Sequence, residues 1–135
     1  MASRLNPYLS FNGSARKALE FYSSVFGGQL SLTTFGDLGT PGSPDADRIM
    51  HGQLETDAGY TIMGADVPSD MEYQPMAGCS VSLSGDDAEV LRGYWEKLSA
   101  GGAVTMPLER QAWGDDFGMC TDRFGVQWMV DIVHQ

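Results

Sequence analysis

The sequence predicts an α+β fold of two tandem βαβββ repeats, whose curved mixed sheets enclose a cleft. Three observations carry this. Two amphipathic helical stripes are each ended by a Gly-Gly pair, a short strand precedes each stripe, and three strand-like segments follow each. Gly27-Gly28 and Gly101-Gly102 lie 74 positions apart (27 to 101). The strand and helix before each pair recur at nearly the same offset, which marks an internal duplication.

The elements follow in chain order. Asn6-Pro7-Tyr8-Leu9-Ser10-Phe11 reads as a short strand and Asn12-Gly13-Ser14 as the turn after it. Ala15, Ala18, Leu19, Tyr22, Val25 and Phe26 then recur at helical steps, the stripe of a helix that buries one side. Gly27-Gly28 stops it, because glycine enters the left-handed conformation without a Cβ clash. Residues 29–35 favour a strand, 36–47 form a loop rich in Gly, Pro, Ser and Asp, and strands are expected at about 49–56 and 60–65. Asp57-Ala58-Gly59 joins the last two as a hairpin connection.

The second repeat opens with the alternating strand Cys79-Ser80-Val81-Ser82-Leu83 and the turn Ser84-Gly85-Asp86. Asp86 with Glu89 three residues on resembles a capping box, and Val90, Leu91, Tyr94, Trp95 and Leu98 form the helical stripe. Strands at 103–110, 117–121 and 126–133 mirror those of the first repeat, the last two joined by Asp122-Arg123-Phe124-Gly125. Gly59 corresponds to Gly125, Ile62 to Trp128 and Met63 to Met129. Residues 1–135 are thus expected to form one domain: repeat one at about 5–65, a linker at 66–78 and repeat two at about 79–133. A four-stranded sheet with a helix on one face must bury its other face against something.

Composition narrows the function classes. A hydrophobic content of 42% excludes a disordered chain. No apolar run approaches the ~20 residues a membrane helix needs, and Met1 to Pro7 has no apolar signal segment, so a cytoplasmic address is expected. Eighteen acidic against eight basic residues give a formal charge of −10. That field repels nucleic acid and anionic membranes and favours a cationic ligand, although an acidic surface also serves solubility alone. Cys79 and Cys120 lack metal-binding spacing and read as small buried hydrophobes.

Several stretches carry a family resemblance. Asn6-Pro7-Tyr8-Leu9, Phe11-Asn12-Gly13, Ala15-Arg16-Lys17-Ala18-Leu19-Glu20-Phe21-Tyr22 and Val25-Phe26-Gly27-Gly28 open the chain. Tyr94-Trp95-Glu96-Lys97-Leu98-Ser99-Ala100-Gly101-Gly102, Met106-Pro107-Leu108, Trp113-Gly114 and Asp122-Arg123-Phe124-Gly125-Val126-Gln127-Trp128 follow. In order and spacing they resemble the PhnB-like branch of the glyoxalase/bleomycin-resistance/dioxygenase (vicinal oxygen chelate) superfamily, over nearly the whole chain. The resemblance implies the fold above and a homodimer. It also implies a role among glyoxalases, extradiol dioxygenases, epoxide-opening resistance enzymes and metal-free drug-sequestering proteins.

Enzymes of that superfamily hold one divalent metal with His, Glu or Gln from the first and last strands of each half. By the resemblance those places fall near Pro7, Met63, Cys79 and Met129. None supplies an imidazole or a hard oxygen, and one soft thiolate does not make a site. No metal and no other cofactor is therefore expected. A methyltransferase label attaches to some PhnB-like proteins, but no Gly-rich strand–turn–helix segment is present to hold S-adenosylmethionine.

Strand alternation places His51, Gln53 and Glu55 on one face, with Met50, Gly52 and Leu54 on the other. A cavity-facing row would make His51 a base or anchor and Glu55 a second carboxylate, with Glu109 the third catalytic candidate; an ordinary solvent-facing strand gives the same pattern. Tyr8, Met63, Met106, Trp113, Phe117, Trp128 and Met129 are candidates to line an apolar pocket with indole donors. Tyr8 and Trp128 equally suit a core. Trp113, in a polar turn, either closes over a cleft or plugs a dimer seam.

The expected function is small-molecule binding: sequestering or handling a hydrophobic metabolite or antibiotic, with a small molecule and a second copy of the chain as partners. The alternatives are a metal-dependent glyoxalase-type lyase or dioxygenase using His51, Glu55 and Glu109, or a metal-free natural-product enzyme of the same fold.

Overall fold

The computed structural model describes residues 3–39 and 41–134. The chain divides into two compact units, Met1–Pro75 and Met76–Gln135, and the division falls inside the expected linker. Each unit is a βαβββ repeat with its own four-stranded mixed sheet, so the fold class expected from the sequence is the one observed.

The first unit runs β1 (Tyr8–Phe11), α1 (Ala15–Phe26), β2 (Gln29–Thr34), β3 (Ile49–Glu55) and β4 (Thr61–Asp66), in sheet order β1-β4-β3-β2. β1 lies parallel to β4 with Tyr8 opposite Met63, and the other pairs are antiparallel. All six residues of the predicted stripe on α1 are buried, and its large apolar side chains, such as Leu19, Val25 and Phe26, contribute about 1.5–3 kcal/mol apiece. The helix sits close to the sheet because β3 presents Gly52: a Cβ there would overlap Leu19 of α1. The start of α1 is not held by Ser14, which makes no side-chain cap bond. Instead buried Asp66, at the end of β4, accepts the N–H groups of Gly13 (2.8 Å) and Ala15 (3.0 Å) on Oδ1 and of Ile49 (2.9 Å) on Oδ2.

The second unit runs β5 (Val81–Gly85), α2 (Ala88–Ser99), β6 (Ala103–Arg110), β7 (Asp116–Thr121) and β8 (Gln127–Ile132), in order β5-β8-β7-β6 with β5 parallel to β8. Only Leu91 and Leu98 of the predicted α2 stripe are buried; Tyr94 and Trp95 are half-buried and Val90 is exposed. Among the described residues no helix is long and apolar enough to cross a membrane.

Several expectations need correction. The first strand starts at Tyr8 rather than Asn6, since Pro7 has no N–H for the ladder. β5 starts two residues late because Ser84 and Gly85, expected in the turn, pair with Asp131 and Ile132 instead. Cys79 is therefore outside the sheet and exposed, whereas Cys120 is buried as expected. The α2 cap is Asp87, not Asp86, accepting the Val90 N–H at 3.2 Å. A register shift between Thr33 and Thr34 pairs them with His51 and Ile49, so Ile49 takes the buried place expected for Met50.

Candidate functional site

In the first unit, the sheet face turned away from α1 gathers most of the polar candidates. Tyr8 of β1, Met63 of β4 and Gln53 of β3 lie side by side by register, and His51 and Glu55 flank Gln53. Tyr8 is half exposed, and its hydroxyl lies 3.0 Å from His51 Nδ1. His51 Nε2 lies 3.4 Å from Gln53 Oε1, and Gln53 donates from Nε2 to Glu55 at 2.6 Å. Glu55 also accepts from Arg4 (2.9 Å) and from the Thr61 hydroxyl (2.8 Å). The bonds from Thr61, Gln53 and Arg4, in that order, hold its carboxyl below the usual range, while burial pushes the Tyr8 phenol up. Arg4 and Thr61 were absent from the sequence reading; only a register could have placed Thr61 opposite Glu55.

In the second unit, the face turned away from α2 carries Phe117 and Met119 of β7 opposite Asp131 and Met129 of β8. Trp113 stands at its border with 62% of its surface exposed, edge-on to Phe117 with centroids 5.8 Å apart. The turn holding Trp113 closes through Gln111 N–H to Asp115 O (2.8 Å) and Gly114 N–H to Gln111 O (3.0 Å). Met106 on β6 pairs with Met119, and Glu109 with Phe117. Asp131 has one buried oxygen, Oδ1, without a hydrogen-bond partner; burial first, then neighbouring Asp115, raises its pKa.

Trp128 does not join this surface. It alternates with Met129 to the α2 side, is 1% exposed, and donates its indole N–H to Asp122 Oδ2 at 2.9 Å. Buried Asp122 also accepts from Phe124 and Val126 N–H, so the hairpin acid is a structural anchor. Asp116 opens β7 and is buried: Arg92, Arg110 (3.0 Å) and His134 (3.2 Å) converge on its carboxylate. The Arg110 bond leads in holding its pKa down, to about 2. Arg110 thus neutralises a buried acid. A cross-strand hairpin pair, Arg110 opposite Asp116, is the signal that could have revealed it.

A divalent metal of the superfamily type does not fit the residues present. Register brings Tyr8 opposite Met63 and Ser82, rather than Cys79, opposite Met129. A phenol with a thioether in one unit, and a hydroxyl with a thioether in the other, are each poor donors for such an ion. Among the described residues no group of three or more His, Cys, Asp or Glu side chains could hold a metal.

Comparison with known proteins agrees with the topology. The family model described as Glyoxalase/Bleomycin resistance protein/Dioxygenase superfamily matches residues 4–130. Protein YjdN of Escherichia coli is 31% identical over 97% of this chain and 96% of its own. The crystal structure of protein PA1353 from Pseudomonas aeruginosa superposes with a TM-score of 0.89 at 37% identity, covering 99% of this chain and 100% of that one. A PhnB protein from Bacillus cereus, described as a 3-demethylubiquinone-9 3-methyltransferase, gives a TM-score of 0.74 at 26% identity over 97% of this chain and all of its own.

Proposed function

Because the chain belongs to the glyoxalase/bleomycin resistance protein/dioxygenase superfamily, we propose that it is a small-molecule-binding protein that holds a hydrophobic metabolite or antibiotic without a canonical metal site. The observation that supports this best is the second sheet's face of Phe117, Met119 and Met129, bordered by exposed Trp113. Aromatic rings and polarizable thioethers suit a planar organic ligand, and Met side chains adapt to its outline. Burying such a ligand at about 25 cal/mol per Å² allows micromolar affinity after ordering costs. We take the working species to be a homodimer, since edge strands β2 and β6 are templates for pairing. The Tyr8–His51 contact favours a second reading, metal-free acid–base chemistry on the bound molecule.

Titration of tryptophan fluorescence with a panel of aromatic compounds tests the binding function. At least one saturable ligand is expected, and Trp113→Ala should weaken it about tenfold or more while leaving the unfolding midpoint nearly unchanged. A panel with no saturable ligand, together with a Trp113→Ala variant that sediments as monomer, would place Trp113 in a dimer seam and remove the main support for ligand binding.

A further inference from the structure

The row on the first sheet has a direction. Ionised Glu55 can only accept, so the Gln53 amide that bonds it at 2.6 Å must present N–H, leaving Oε1 toward His51. An acceptor at Oε1 calls for the proton on His51 Nε2. Neutral His51 then has its lone pair on Nδ1, and the Tyr8 hydroxyl at 3.0 Å donates to it. Every donor points the same way, from Tyr8 through His51 and Gln53 to Glu55. Bonds aligned head to tail polarise one another, although the 3.4 Å His51–Gln53 link is the longest here. The far end is the Tyr8 oxygen, half exposed, with its proton committed inward and its lone pairs outward.

We propose that the Tyr8 oxygen, on the first unit's sheet, is a hydrogen-bond-accepting subsite for an N–H or O–H group of a small molecule, an ammonium above all, with its polarity set by the His51–Gln53–Glu55 row behind it. The group it takes is an amine or a related donor, which the formal charge of −10 also favours. The subsite is placed on the first unit's sheet alone and rests on the small-molecule-binding function proposed above. Tyr8 is a binding residue here; His51, Gln53 and Glu55 act through it as positioning residues.

Two measurements test the subsite. Nitrogen-15 NMR of the full chain near neutral pH, with His51 assigned by comparison with His134→Ala, should show the Nε2–H tautomer for His51; the Nδ1–H tautomer overturns the proposal. Calorimetric titration with phenethylamine and 3-phenylpropionate, similar in size but opposite in charge, should favour the amine by about tenfold or more. Tyr8→Phe should bring the two affinities together, and Gln53→Leu, which keeps Tyr8 but cuts the row, should reduce the preference in part. A preference that survives in Tyr8→Phe, or equal binding of both probes to the unaltered protein, overturns the subsite. If neither probe saturates in the millimolar range while the aromatic panel yields a ligand, the subsite alone fails; if the panel fails too, ligand binding falls with it.

Discussion

The two repeats share one topology but divide the chemistry between them. In the first, α1 buries a complete six-residue stripe and the sheet's other face carries the polar row Tyr8, His51, Gln53 and Glu55. In the second, α2 buries only Leu91 and Leu98, while the other face is aromatic and methionine-rich. The sheets differ in bulk as well: Ile62 of β4 corresponds to Trp128 of β8, which is fully buried. Duplicated folds thus keep strand order and exchange where bulk and polarity sit.

The largest effect should come from the residue that makes the second core possible. Trp128→Ala removes a buried indole under a sparsely packed helix and should cost about 3–5 kcal/mol in denaturant unfolding. A loss below about 1 kcal/mol would mean that α2 packs independently of Trp128, and the contrast between the cores would collapse.

Next come the two buried carboxylates that tie each repeat together. Asp66→Ala strands three N–H groups, on Gly13, Ala15 and Ile49, and should destabilise by about 2–4 kcal/mol. Asp122→Ala strands Phe124 and Val126 N–H and the Trp128 indole, with a similar cost. Amide exchange should separate them: the first variant should open the start of α1, the second the β7–β8 hairpin. Protection lost in the opposite repeat would contradict the division of labour.

The smallest effect is acid-dependent and belongs to the second repeat. Asp116 has its pKa lowered from 3.8 to about 2, so its ionic bonds stabilise the fold fully above the ordinary carboxylate value. That contribution is lost as pH falls from about 4 toward 2. Asp116→Asn should therefore be less stable than the unaltered protein at neutral pH, with the gap narrowing on acidification through that window. Thermal melts at a series of pH values check this, and a gap independent of pH would remove Asp116 as an ionic anchor.

Much of the fold was legible because its signals are local. The α1 stripe, the two Gly-Gly stops and the hairpin glycines each act within a few residues, and repetition made them mutually reinforcing. Alternation likewise put His51, Gln53 and Glu55 on one face correctly. Asp66 and Asp122 were read as linker and turn acids because a buried carboxylate and a solvated one look alike in sequence; what distinguishes them is the set of donors that folding brings to them. Trp128, open between pocket and core in the sequence, lies in the core for a related reason: strand parity tells which residues share a face, but not which face the helix will cover. Cys79 was read as buried from the general habit of cysteine, which does not see that it lies outside β5.

The parallel pairing that closes each sheet has a consequence for synthesis. Tyr8 meets Met63 across 55 positions (8 to 63), so β1 emerges from the ribosome long before its partner and waits with its edge unpaired. Loops of that length close slowly and make the first repeat's nucleus depend on a late strand. Yet β4 ends at Asp66, before the second repeat begins at Val81, so the first sheet can close before the second has all its strands outside the ribosome. A chain cut within β4 would leave β1 permanently without its neighbour and α1 without the Asp66 carboxylate that caps it, which makes that short strand the point of no return for the nascent protein.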